Sequence, residues 1–230
     1  MKFVKLGLDI ARTPPDYKPC AGLGHKNAAG LTEYGARAID EMMRRGMLID
    51  VDHMSLAAFN ATVTKAEAVT GGYPLVSGHT GFRDVEHTEN SRTDAQLKKI
   101  ADLGGMFGVG SSHVKAGEYL DYYLRANKIM GEGRVAFGSD LNGLEKCPPP
   151  AGKACAKTIY DTAYSRSETG TKTWNYCTED VPHYGLLPDF VRDLTAKPLG
   201  GELNAGLMQN AETFAQMWKK AFKNGKRGNK

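Results

Sequence analysis

Four short apolar runs punctuate this chain: Met47 to Val51, Pro74 to Ser77, Gly105 to Gly110 and Val135 to Gly138. Each is apolar on both faces instead of alternating, the pattern of a strand covered on two sides in a parallel sheet. Their starts lie roughly 30 residues apart, about the size of one β-α-β unit. The stretches between them switch to a helical period. Glu33 to Arg45 sets Ala38, Ile39, Met42 and Met43 on one stripe, with Arg44 and Arg45 in the last turn and Gly46 as a stop. Ser55 is placed to cap a helix that buries Leu56, Phe59, Val63 and Ala66 and ends at Gly71-Gly72. Asp94 is expected to cap a third helix carrying Leu97, Ile100 and Ala101, and a fourth, Gly117 to Met130, buries Leu120, Tyr123 and Leu124.

Beyond Asp140 the pattern changes. Residues 144–186 form a long excursion, Pro-rich from Cys147 to Lys157 and polar from Tyr160 to Pro182, of the kind that covers an active site. Regularity returns at Leu187 to Leu194 and in a final helix from about Asn210, with Phe214, Met217, Trp218 and Phe222 as its apolar stripe. The fold class is therefore α/β, and residues 1–230 read as one domain. Four β-α units amount to half of an eight-stranded TIM-type (β/α)₈ barrel. Upstream of Gly30 only Phe3 to Ile10 is a strand candidate. The expectation is an incomplete barrel, its C-terminal half, or else a small open sheet.

With 41% hydrophobic residues in 230, the chain can bury a core. Lys219, Lys220, Lys223, Lys226, Arg227 and Lys230 supply six positive charges, so the net charge of +4 leaves −2 for the rest. The basic balance thus belongs to a tail at about 219–230, expected to be solvated and frayed. It gives no support for a nucleic-acid partner, because basic and aromatic residues do not interleave. No apolar run reaches the roughly 18 to 20 residues of a membrane span, and the first residues do not read as a signal peptide, so a soluble chain is expected with its compartment open, export included. Cys20, Cys147, Cys155 and Cys177 lack Cys-x-x-Cys spacing; Cys147 and Cys155 could close a short disulfide or stay as thiols.

Three of the apolar runs deliver one chemically useful side chain at the C-terminal end: His53, His79 and Asp140. A curled parallel sheet gathers such strand ends at one point. Neutral imidazoles suit zinc, and an aspartate opposite them can take a proton from water and return it to a leaving group. Asp52 next to His53 reads as a structural hydrogen-bonding group. His183, beside Tyr184 in the excursion, is a weaker candidate for the site, while His25, His87 and His113 have no strand-end context.

The order Gly30-Leu-Thr32-Glu-Tyr-Gly35, Arg45-Gly-Met-Leu-Ile-Asp-Val-Asp-His53-Met-Ser55, Val76-Ser-Gly-His79-Thr and Phe137-Gly-Ser-Asp140-Leu-Asn142-Gly143 resembles the later half of the membrane (renal-type) dipeptidases of the amidohydrolase superfamily. His183-Tyr-Gly-Leu-Leu-Pro-Asp189 and Asn210 to Trp218 extend the likeness toward a divergent bacterial branch. The resemblance implies a two-zinc site that hydrolyses dipeptides or related small amides. It assigns His53 and His79 to one zinc, Asp140 to the proton, and a substrate-carboxylate arginine for which Arg92 is the nearest match and Arg83 a competitor. Asn142 stands where better-known members have a second aspartate. The family's first-strand His-x-Asp and fourth-strand glutamate have no counterpart here, so this chain alone is expected to hold at most one zinc. Two other outcomes follow from the same residues: an inactive half-barrel that binds metal weakly or pairs with another chain or copy, and a different amidohydrolase-type metal hydrolase.

Overall fold

The computed structural model describes residues 17–19, 25–110, 116–140, 166–169, 171–176 and 184–227. The strand candidate at Phe3 to Ile10, the four cysteines, His113, Asn142 and His183 lie outside the described residues. A two-stranded hairpin, β1 (Tyr17–Pro19) with β2 (His25–Asn27), leads into α1 (Glu33–Arg44). The centre is then built as strand and helix in turn: β3 (Ile49–Asp50), α2 (Leu56–Ala68), β4 (Leu75–Thr80), the short α3 (Arg83–Glu86), α4 (Asp94–Asp102), β5 (Met106–Gly110), α5 (Ala116–Met130) and β6 (Val135–Gly138). A second hairpin, β7 (Arg166–Thr169) with β8 (Lys172–Asn175), precedes α6 (Leu187–Thr195) and α7 (Gly200–Arg227).

The four central strands are parallel and lie side by side in chain order, β3-β4-β5-β6. All four apolar runs are thus strands of one sheet. Leu75, Phe107, Val109 and Val135 are fully buried in one core with residues of the surrounding helices, including Phe59, Val63, Leu97, Ile100, Tyr119 and Tyr123. On the helix side of β6, Phe137 lies 5.5 Å from Tyr119 and 5.8 Å from Phe190, and Tyr119 meets Phe190 edge-on at 5.1 Å.

The other face of the sheet carries almost no side chain where the strands converge. A Cβ on Gly108 would stand 1.9 Å from the Gly78 carbonyl oxygen, and one on Gly138 would stand 2.1 Å from that oxygen and 2.8 Å from the His79 Cα. β4 and β6 are not hydrogen-bonded neighbours, so the sheet curls over β5 until alternate strands touch. Glycine is the residue that leaves room for such an approach.

Several expectations change, the first upstream of Gly30, where β1 and β2 form although only Phe3 to Ile10 reads as a strand candidate. The cap of α4 is Thr93, not Asp94: its hydroxyl accepts from the Gln96 N–H while the Gln96 side chain accepts from the Thr93 N–H, a reciprocal capping box. The last helix starts at Gly200, about ten residues earlier than the periodicity suggests, and its buried face is Leu203, Met217 and Ala221. Phe214 and Trp218 are 52% and 54% exposed, so the aromatic stripe faces outward. Nor is the basic end frayed at its start. α7 runs to Arg227, Lys220 Nζ donates to the Leu103 carbonyl at 2.8 Å, and Asn224 Nδ2 donates to the Gly72 carbonyl at 3.0 Å. The backbone of Phe222 approaches Gly46, in the left-handed region at φ 70°, so closely that a Cβ there would lie 2.7 Å from the Phe222 Cα. Lone positive charges predict solvation only until helix termini offer them carbonyls.

Gly108→Ala is expected to destabilise the chain by about 3 kcal/mol, because carbonyl oxygens cannot move aside as a side chain can. Gly201→Ala, at a position with nothing within 4 Å of a new Cβ, should be neutral or stabilising by about 0.5 kcal/mol. Urea denaturation of the two variants measures the contrast.

Candidate metal centre

His53 follows β3 and stands in the left-handed region at φ 60°. Its backbone N–H donates to Asn90 Oδ1 at 2.6 Å, which anchors that turn to the segment after α3. Two residues later the Ser55 hydroxyl accepts from the Ala58 N–H and caps α2, so the chain must leave the strand at His53. Glu89 holds the same corner from outside, accepting the N–H of Asn27 at 2.7 Å and of Leu56 at 2.6 Å.

His79 lies within β4, where the pairing with β5 shifts register between Ser77 and Thr80. The result is convergence: His53 Nε2 and His79 Nε2 are 2.7 Å apart, with ring centroids at 4.9 Å. Two imidazole nitrogens so directed share either a proton or a cation. The donor set fits a borderline ion such as zinc, which neutral imidazoles favour. Asp140 is exposed, two residues beyond Gly138, at φ 49°. The contact of Gly138 with the His79 backbone brings the end of β6 to the same side of the sheet.

Asp50, Asp52 and His79 also form a group whose ligand-type atoms lie within 4.8 Å of one another. The two carboxylates differ in kind. Asp52 is nearly sealed, its side chain 1% exposed, and both oxygens are engaged: Oδ1 by the Ser77 hydroxyl at 2.5 Å and Arg92 Nη2 at 2.9 Å, Oδ2 by the His79 N–H at 2.7 Å. Asp50 Oδ1 accepts the Asp52 N–H at 2.8 Å, and Oδ2 lies so near Gly78 that a Cβ there would be 2.5 Å from it. Burial pushes the Asp50 carboxyl above its ordinary value, against the pull of the Asp52 N–H.

Arg92 requires a correction. As the nearest match to a substrate-binding arginine it should face the open side of the site, yet it is fully buried. Its Nη2 donates to the Val51 carbonyl at 2.8 Å as well as to Asp52, its Nε donates to Ser77 Oγ at 3.1 Å, and its guanidinium lies 4.8 Å from the centre of the Phe59 ring. Burial pulls its pKa down while the Asp52 carboxylate holds it up. Arg83, the competitor, bonds the carbonyls of Thr88, Glu89 and Ser91 and so ties the loop after α3 to itself. The sequence reading of Asp52 as a hydrogen-bonding group agrees with this network. It missed Ser77 and Asn90, whose only signal was a polar residue in an otherwise apolar strand and an asparagine two residues before the arginine.

A family model described as membrane dipeptidase (peptidase family M19) matches residues 19–153. An uncharacterized protein in the pqqA 5′ region of Klebsiella pneumoniae is 33% identical over 130 residues, 50% of this chain and 45% of that protein. An uncharacterized dipeptidase of Schizosaccharomyces pombe is 30% identical over 129 residues, 52% of this chain and 30% of that protein. The chain thus spans less than half the length of these relatives. The solved structure of the dipeptidase AC, a metallopeptidase of family M19, superposes with a TM-score of 0.56 at 20% identity, covering 86% of this chain and 49% of that one. Coverage of half of a TIM-type barrel agrees with the four-stranded sheet as a partial barrel.

Arg92→Met should cost about 3 to 5 kcal/mol, since it strands the buried Asp52 charge, with urea unfolding as the measurement. Because the folded-state pKa of Asp50 is raised, its contribution to stability is present at low pH and is lost as pH rises through that value. Asp50→Asn should therefore flatten the stability profile above about pH 4 relative to the parent chain.

Proposed function

The chain belongs to the membrane dipeptidase family, peptidase family M19 of the amidohydrolase superfamily, and from that membership we propose that it carries the later half of a zinc-dependent site for hydrolysing the peptide bond of dipeptides or similar small amides. The observation that carries this reading is the meeting of His53 Nε2 and His79 Nε2 at 2.7 Å. His53 and His79 would hold the ion. When bound, zinc supplies Lewis acidity toward a peptide carbonyl and toward water.

The remaining steps belong to the chain's own groups. Asp140, exposed at the end of β6, accepts the proton of the attacking water and returns it to the leaving amine nitrogen. Asn90 holds the His53 backbone, and Asp52 holds that of His79, so both imidazoles enter the reaction pre-set. Asn142 and His183 remain candidates for substrate contact. Two imidazoles make an incomplete set for a two-ion centre, so the chain by itself holds one ion and turns over slowly.

Zinc titration of the chain should give about one ion, lost in His53→Ala and in His79→Ala. Dipeptide hydrolysis should be low alone and rise when a polypeptide bearing the family's first-strand His-x-Asp and fourth-strand glutamate is supplied, with Asp140→Asn lowering that restored rate about 100-fold or more. Two bound zinc ions with brisk turnover by the chain alone would overturn the proposal. One bound ion without restored hydrolysis would leave a metal-binding half-barrel.

A further inference from the structure

Asp52 is a buried carboxylate beside the exposed His53 and the half-buried His79, and both of its oxygens are engaged. Oδ1 receives Ser77 and Arg92, and Oδ2 receives the His79 backbone N–H. Arg92 cannot swing away: it is fully buried, bonded also to the Val51 carbonyl and Ser77, and packed on Phe59. The same Oδ2 lies 3.4 Å from His79 Nδ1. At that distance a lone pair on Nδ1 would be repelled by the carboxylate oxygen, whereas an N–H would be attracted. The opposite ring nitrogen, Nε2, is the one that meets His53.

We propose that Asp52, clamped by Arg92, is a positioning residue that fixes His79 in its Nδ1–H tautomer and so turns the Nε2 lone pair toward the metal position. The metal position rests on the function proposed above; the tautomer does not. Histidine ligands need one nitrogen free of its proton, and a carboxylate behind the other selects which. Asp52 therefore acts through His79 and touches neither metal nor substrate. Its burial serves this purpose. A solvated carboxylate would rotate and exchange partners with water, while one held by three donors keeps Oδ2 beside Nδ1.

Long-range ¹H–¹⁵N spectra of the metal-free, ¹⁵N-histidine-labelled chain read the tautomer directly, at a pH about 1.5 units above the ordinary imidazole value of about 6.5. The expected result is an Nδ1–H pattern for the ring whose signals vanish in His79→Ala. An Nε2–H pattern for that ring in the unmodified chain would overturn the inference; a folded His79→Ala chain serves only to assign the signals. In Asp52→Asn, the same ring should show mixed tautomers, and zinc affinity, read by competition with a chromophoric chelator, should fall about 10- to 100-fold. A folded Asp52→Asn chain with unchanged tautomer and unchanged zinc affinity would also overturn it. Should the unmodified chain bind no zinc, the metal reading fails, while the tautomer spectrum still decides the role of Asp52.

Discussion

The close approach of three strands at Gly78, Gly108 and Gly138 is the constraint on which the rest of this structure depends. Flat sheets keep alternate strands far apart, whereas here the Gly138 position almost meets the Gly78 carbonyl and the His79 Cα. The sheet can curl this way only because its inner face lacks side chains at that level. Curling has two consequences. It turns the opposite face outward to carry Leu75, Phe107, Val109 and Val135 against the helices, where the buried area that stabilises the domain lies. It also gathers the ends of the strands, so residues far apart in the chain come to one side.

Beneath that gathering point sits a buried ion pair, Arg92 with Asp52. Such a pair is a weak source of net stability, since desolvating both charges offsets most of their attraction. Its value here is directional. Arg92 bonds to the Val51 carbonyl, just past the end of β3, and to β4 through Ser77, and Asp52 bonds to Ser77 and the His79 backbone. The ends of these strands are thus held together by polar groups that each bond to more than one partner in the buried network. Asn90 and Glu89, from the loop that Arg83 ties down, complete the brace on the His53 side. The meeting point of His53 and His79 is accordingly supported from below by charge and from outside by a loop.

Much of this was legible in the order of residues. The doubly apolar runs became the four parallel strands, Ser55 capped its helix, and Phe59, Val63, Leu97, Ile100, Leu120 and Tyr123 were buried where periodicity put them. The pairing of His53 with His79 followed from their shared strand-end positions. Less legible were Thr93 as a cap, where two adjacent residues could serve, and the start of α7, whose first ten residues contain four glycines or small polar residues and no clear stripe. Arg92 was misread because an arginine between a strand and a helix can reach outward or inward with equal ease, and nothing local says which.

By itself, then, the sequence determined the alternating strands and helices of the central sheet, the positions of the candidate ligands and the family likeness, because these rest on local periodicity, capping and motif spacing; the two hairpins, β1 with β2 and β7 with β8, carry no such signal. Tertiary structure alone decided which nitrogen of His79 faces His53, that Asp52 and Arg92 neutralise each other out of water, that the aromatic stripe of α7 faces outward, and that the basic end is docked at Leu103 and Gly72. The physical reason is the same in each case. A polar or aromatic side chain has several orientations of similar local energy, and only the partners brought to it by the curled sheet and its packed helices select among them.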